Sequence, residues 1–216
     1  MNSRPGPLWD IPTRICHWSF VFVIAFSWWS AENDHLEWHT WSGFTLLALL
    51  LFRIVWGFIG SDTARFNHFL RGPSAVINYA KQLTIRNTPP ARGHNPMGGW
   101  SVVVLLTAMV VQVVLGLFAE DVDGLASGPL SYTVSYDTAR WAAEIHEEFF
   151  NVLMFFVVLH VVFVFFYLFY KKDNLIVPMI IGTKSGIDTS TLRSAPLWLA
   201  VIVMAIATAF VWWLVN

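Results

Sequence analysis

The chain has 216 residues, of which 56% are hydrophobic and only 12% are charged, and its net charge is −1. Soluble globular chains carry about 25% charged residues, so this composition excludes an ordinary soluble domain. Nucleic acid is not expected as a partner.

The apolar residues fall into five blocks, at about 16–31, 40–60, 99–118, 147–170 and 197–215. Each block is close to the roughly 20 residues that cross a bilayer as a helix. The sequence therefore predicts an all-α integral membrane protein. Residues 28–32 make a poor signal-peptidase site, so we expect the first helix to be retained.

The basic residues predict the orientation of the chain. With five alternating spans, all 13 Lys and Arg residues except Arg140 lie on the side of the N-terminus, while most acidic residues lie on the opposite side. Because Lys and Arg accumulate on the cytoplasmic side of membrane proteins, we expect a cytoplasmic N-terminus and a C-terminus on the outer side.

Two loops separate the blocks. Residues 61–97 are basic and contain several Gly and Pro residues, and apolar residues at helical spacing over 75–83 predict a short helix at the inner interface that begins at Pro73. The outer loop at 119–137 contains acidic residues, glycines and a proline, so it is expected to be irregular.

Four histidines lie at the ends or in the middle of these blocks: His17, His39, His146 and His160. An ionisable side chain in an apolar span usually marks function, although a lone histidine is often just bonded to a neighbouring helix. The alternating topology sorts these four by depth, with His39 and His146 near the outer side and His17 and His160 nearer the inner side. His146 and His160 are fourteen residues apart on one helix, about 21 Å along its axis.

Two pairs of histidines favour two haems, each held between a pair of imidazoles. A zinc site would need three or four ligands at one depth, whereas these four are divided between two. A di-iron site would need buried glutamates, which the spans nearly lack. Cys16 is the only cysteine, so no disulfide forms within the chain and no Cys-x-x-Cys-His motif attaches a haem covalently.

Two further residues are candidates for haem binding. Gly43 lies one helical turn after His39, where the absent side chain would leave room for a porphyrin, although close helix packing also favours glycine. Arg53 lies fourteen residues after His39 and could pair with haem propionates, although it could equally anchor the inner end of the helix.

Over about residues 8–185 the chain resembles the prokaryotic cytochrome b561 group, which includes the cytochrome b subunits of membrane-bound nickel–iron hydrogenases. The resemblance rests on Ile-Cys-His-Trp at 15–18, His39 with Gly43 and Arg53, and the His146–His160 spacing. It also rests on Leu-Arg-Gly-Pro at 70–73, Gly-His-Asn-Pro at 93–96 and Lys-Asp-Asn at 172–174. It implies a four-helix core at 1–185 that holds two b haems in a bacterial inner membrane, with quinone as one redox partner. Residues 186–216 are then an additional C-terminal transmembrane helix.

The function expected from these patterns is transmembrane electron transfer between a periplasmic redox protein and the quinone pool, as a subunit that could include a quinone-reducing or quinol-oxidising step. The acidic outer side favours a basic c-type cytochrome as partner, and a hydrogenase small subunit is the other candidate. One alternative is a self-contained oxidoreductase for superoxide or quinol, and another is a haem-free scaffold or transporter. His68 and His94, in the inner loop, are candidates for quinone protonation, although ordinary polar loop roles are common.

Overall fold

The structure is a computed structural model that describes residues 7–86, 91–122, 124 and 126–216. The described residues are 72% helical and form no strand. The helices are α1 (Ile11–Glu32), α2 (Leu36–Ile59), α3 (Phe66–Phe69), α4 (Pro73–Lys81), α5 (Pro96–Phe118), α6 (Tyr136–Phe169), α7 (Ile176–Ile181) and α8 (Leu197–Val215), with 3-10 turns at Asp62–Ala64 and Ser131–Thr133. The predicted all-α class is confirmed.

Four helices of the described chain, α2, α5, α6 and α8, are long and apolar enough to cross a membrane. The protein is therefore a multi-pass membrane protein. Helix α1 has 22 residues but is not among these four. Its Ser, Trp and His side chains lower its hydropathy below that of the other helices, and a fifth span through α1 stays a prediction.

Three of the long helices start at a polar capping residue that lies before the apolar block of the helix. Asp10 Oδ1 accepts an amide of the first turn of α1 at 2.8 Å, and Asn95 Oδ1 does so for α5 at 2.8 Å. Ser135 Oγ accepts an amide of the first turn of α6 at 3.3 Å. Each cap satisfies a backbone donor that a helix leaves free at its start. Helix α6 consequently begins at Tyr136, well before the apolar block at 147–170.

The chain divides into two compact units. The first unit contains Met1–Ile15, Arg53–Val104 and Val157–Val201, and the second contains Cys16–Phe52, Leu105–Phe156 and Ile202–Asn216. Every described Lys and Arg except Arg140 belongs to the first unit. The described acidic residues belong to the second unit, apart from Asp10, Asp62, Asp173 and Asp188. The two units therefore carry opposite charge.

In the first unit, the short helix predicted in the inner loop is confirmed as α4, with Pro73 in its first turn. The Tyr79 hydroxyl on this helix lies 2.7 Å from the Tyr167 hydroxyl on α6, and Asn95 Nδ2 donates to the same Tyr167 oxygen at 3.0 Å. These bonds attach α4 to α6. Its predicted position at the membrane interface stays a prediction.

The segment that precedes α8 is also bound within the first unit. Asp62 N donates to Arg193 O, and Arg193 N donates to Asp62 Oδ2, both at 3.0 Å. Ala195 N donates to Ser61 Oγ at 2.9 Å. Because both partners of each bond belong to the first unit, the segment before α8 is fixed to the turn that follows α2.

The core of the second unit is apolar and comes largely from α2 and α5. Leu46, Leu50, Met109 and Val113 are buried there. The outer loop contains the 3-10 turn at Ser131–Thr133 and is otherwise irregular, as predicted, although α6 begins before the loop was expected to end. Asp123 and Leu125 of this loop lie outside the described residues.

Candidate functional site

His39 on α2 and His146 on α6 face each other within the second unit. Their ring centroids are 5.9 Å apart and the ring planes are inclined at 85°. Both residues are partly buried. The structure thus brings together the two histidines that the topology assigned to the outer depth.

Both rings are held through Nδ1. His39 Nδ1 lies 2.9 Å from Ser27 O, and His146 Nδ1 lies 2.8 Å from Gln112 O. A carbonyl oxygen only accepts hydrogen bonds, so Nδ1 carries the proton in both neutral rings. Nε2 is then the unprotonated nitrogen of each ring, which is the nitrogen available to a metal.

The geometry of this pair fits a haem iron. Because an imidazole nitrogen binds a metal at about 2 Å, two rings on opposite sides of one iron have centroids about 6 Å apart. The observed separation of 5.9 Å is close to this value. Within the described part of the chain, no three His, Cys, Asp or Glu side chains come together to hold a metal ion, so the pair is not part of a larger cluster.

Helix α5 contributes two residues that the sequence analysis missed. Gln112 is 7% exposed, accepts the His146 Nδ1 proton at its backbone oxygen, and donates from Nε2 to His146 O at 2.8 Å. A Cβ at Gly116 would lie 2.9 Å from His146 Cε1, so only glycine leaves room for the ring. The signal that could have identified them is a single amide in an otherwise apolar span, followed one turn later by glycine.

Gly43 and Arg53 have different surroundings. A Cβ at Gly43 would meet no atom of the described chain within 4 Å, so no protein contact explains the glycine there. Arg53 is 6% exposed, donates from Nη1 to Ala64 O at 3.3 Å and lies over the Phe66 ring at 5.4 Å. These contacts fix Arg53 inside the first unit. The haem-binding roles of both residues stay predictions.

His17 and His160 are both partly buried. His17 belongs to the second unit, where its ring lies 5.2 Å from the Trp18 ring in an edge-to-face contact. His160 belongs to the first unit, on the part of α6 that follows Val157. Their pairing around a second haem stays a prediction.

The first unit contains a cavity of about 190 Å³ that both inner-loop histidines line. The other polar side chains around it are Asp62, Thr63, Arg71 and Arg92. The His94 ring packs between Phe69 and Trp9, with centroids 4.5 and 4.7 Å away. His68 Nε2 lies 3.1 Å from an Arg65 guanidinium nitrogen.

Asp62 is the acidic group of this cavity and is 7% exposed. The backbone amide of Arg193, which donates to its carboxylate, is the main cause that lowers the pKa of Asp62 below its ordinary value. The charges of His68 and Arg65 lower the pKa further, against the opposing effect of burial. Asp62 is therefore an ionised carboxylate at neutral pH, and it forms an ion pair with Arg65.

A family described as prokaryotic cytochrome b561 matches residues 8–182, which is most of the chain. Comparisons with curated proteins and with solved structures find no significant match. Members of this family bind haem b and transfer electrons across membranes, and the four apolar helices agree with that setting. The coverage of the match and the apolar helices together establish that the chain belongs to the prokaryotic cytochrome b561 family.

Proposed function

We propose that the protein transfers electrons across the bacterial inner membrane through two b haems, one held by His39 and His146 and the other by His17 and His160. The observation that carries this proposal is the facing pair of rings at 5.9 Å, each with its Nδ1 proton bound to a carbonyl. A haem iron with imidazole at both axial positions exchanges one electron at a time and keeps no open position for a substrate.

The segregation of charge supports an orientation with a cytoplasmic N-terminus. Arg140 is the one described basic residue of the second unit, and it donates to Glu120 O at 2.8 Å and lies 3.8 Å from a Glu144 carboxylate oxygen. Basic residues accumulate on the cytoplasmic side, which supports the proposed orientation with the acidic residues toward the periplasm. The His39–His146 pair would then be the haem site nearer the periplasm.

The acidic surface also supports a basic redox partner. Glu32, Glu37, Glu144 and Glu147 are all exposed in the second unit, which contains the His39–His146 pair. A negative surface attracts a positively charged protein and repels anions. A c-type cytochrome with a basic face fits this surface, whereas the superoxide anion would be repelled. A hydrogenase small subunit is the second candidate partner, since docking through shape and apolar contact does not depend on net charge.

Quinone is the proposed partner on the other side, and the cavity lined by His68 and His94 is the candidate place for its reduction. Reduction of a quinone consumes two protons, and histidine titrates in the range that allows proton transfer near neutral pH. Phe69, which packs against the His94 ring, also lines this cavity and makes part of its wall apolar. The ionised Asp62 carboxylate lies 3.8 Å from His68 Nε2 and could pair with the imidazole when it is protonated.

Replacement of single histidines by alanine tests the pairing. We expect His39→Ala and His146→Ala to remove the same haem, and His17→Ala and His160→Ala to remove the other, so that each variant retains about one haem per chain. The readouts are haem content and the reduced-minus-oxidised absorption spectrum of the purified protein. The matched control is His35→Ala, because His35 is an exposed loop histidine of the second unit whose ring centroid lies 4.8 Å from that of Trp38. Retention of two haems in His39→Ala, or loss of different haems in His39→Ala and His146→Ala, would contradict the proposal.

A further inference from the structure

Gln112 holds His146 at two points. Its backbone oxygen accepts the ring proton on Nδ1 at 2.8 Å, and its side-chain Nε2 donates to the His146 backbone oxygen at 2.8 Å. The side chain is more than nine-tenths buried, so bulk water does not compete for these bonds. Ring and backbone of His146 are therefore both tied to one residue of α5.

We propose that Gln112 is a positioning residue that sets the balance between the ferric and ferrous states of the iron that His146 ligates. This inference depends on the proposed function, because it takes His146 to be a haem ligand. The hydrogen bond from the other ring nitrogen of a ligating histidine fixes the orientation of the ring and raises its basicity. A more basic imidazole stabilises the ferric iron relative to the ferrous iron, which lowers the reduction potential.

The side chain matters even though the acceptor of the ring proton is the backbone. The bond from Nε2 to His146 O fixes the separation of α5 and α6 at this level, and that separation determines the distance from Nδ1 to Gln112 O. Without the side-chain bond the helices are free to move apart, the Nδ1 bond lengthens, and the imidazole becomes less basic. The other ring of the pair lacks a second point of attachment of this kind. Among the described residues, His39 Nδ1 is bound by Ser27 alone, with O at 2.9 Å and Oγ at 3.2 Å.

The amide oxygen of Gln112 allows a clean substitution. Oε1 is buried and has no hydrogen-bond partner among the residues that the structure describes. Replacement by methionine removes the donor Nε2 and this acceptor together while nearly keeping the volume. Gln112→Met therefore deletes the bond to His146 O without leaving a buried polar group of its own at position 112.

The test is a potentiometric titration of both haems in the purified full-length protein, together with electron paramagnetic resonance of the ferric state. In Gln112→Met we expect both haems to be retained and the reduction potential of the His146-ligated haem to rise. A tenfold shift in the ferrous-to-ferric ratio corresponds to about 59 mV for a one-electron couple. The ferric resonance of the same haem should shift as the ring reorients, while the other haem is unchanged. The matched control is Met109→Leu, a buried volume-conserving change one turn earlier on α5, which should leave both potentials in place.

Equal potentials and resonances in Gln112→Met and Met109→Leu would overturn the inference. If Gln112→Met fails to retain the haem, Gln112→Asn is tested instead, because it keeps an amide on a shorter side chain. A smaller rise in the reduction potential of the same haem then supports the inference, and unshifted potentials reject it. His146→Ala separates this inference from the proposed function. If that variant keeps both haems, the ligand assignment is wrong; if it loses one haem while Gln112→Met is unshifted, only the role of Gln112 is wrong.

Discussion

Gly116 lies against the His146 ring, and its replacement by alanine should weaken haem binding at the His39–His146 pair. The added Cβ would lie 2.9 Å from Cε1 and 3.1 Å from Nδ1 of His146, and Cβ atoms in proteins essentially never approach closer than 3.0 Å. The ring therefore has to move, and it cannot move without lengthening the 2.8 Å bond from Nδ1 to Gln112 O.

The size of the loss in haem binding follows from two unfavourable contributions and one favourable one. Overpacking costs about 1–3 kcal/mol, and loss of the ring hydrogen bond costs about 0.5–1.5 kcal/mol. Alanine in place of glycine favours the helix by about 1 kcal/mol. The net cost is about 0.5–3.5 kcal/mol, which weakens haem retention roughly 2- to 300-fold, since every 1.4 kcal/mol is about tenfold in affinity. This free-energy cost applies to the ring orientation that binds haem, so the helices themselves should remain folded.

Haem content after dilution in detergent measures this effect, with the reduced spectrum to identify which haem is lost. Gly98→Ala is the matched control on the same helix, because its Cβ would meet nothing closer than 3.4 Å, an ordinary contact with Asn95 Oδ1. Should Gly116→Ala retain both haems as tightly as Gly98→Ala, the close packing of α5 against the His146 ring would not be what orients this ligand.

Two further predictions concern the cavity of the first unit. His68→Asn should lower the rate of quinol-driven haem reduction about tenfold or more while leaving the haem spectrum unchanged. The control His35→Asn should leave this rate unaffected. Equal rates for the two variants in stopped-flow reduction would reject a proton-transfer role for His68. Because the pKa of Asp62 is lowered in the folded protein, its stabilising contribution is complete above its ordinary value of 3.8 and is lost as the pH falls through the lowered value. Asp62→Asn should therefore lower the free energy of unfolding by about 1–3 kcal/mol at pH 7. It should also weaken the fall in melting temperature with decreasing pH, recorded from about pH 3 to pH 7. An unchanged fall would show that the bonds to Arg193 contribute little.

The apolar blocks predicted where the long helices lie but not where they begin. Hydropathy detects only residues that face lipid or core, whereas the first turns of α6 are polar and begin at a cap, Ser135. The same limit applies to the caps Asp10 and Asn95. Caps are recognisable as residue types, but the choice of which one is used depends on the chain that packs beside it.

The candidate site was predictable in part for a similar reason. His39 and His146 could be matched from the alternation of the spans, because depth in a membrane follows from helix direction and residue number. Gln112 and Gly116 could be noticed as an amide and a glycine in an apolar span. They could not be assigned to His146, since rotation of a helix about its own axis is not encoded in hydropathy. Which face of α5 meets α6 is decided by side-chain packing. The sequence left that face undetermined.

The length of α6 has a consequence for the encounter with a partner protein. Its 34 residues make a rod of about 51 Å, while the hydrocarbon layer is about 30 Å thick. The helix begins with a polar segment in which Ala139 and Ala142 are buried and Glu144 and Glu147 are exposed. In the proposed complex, a docking protein would therefore meet exposed carboxylates on a rigid helical segment that includes His146. Little chain has to be ordered on contact, so the entropic cost of association is small and the complex can both form and separate quickly.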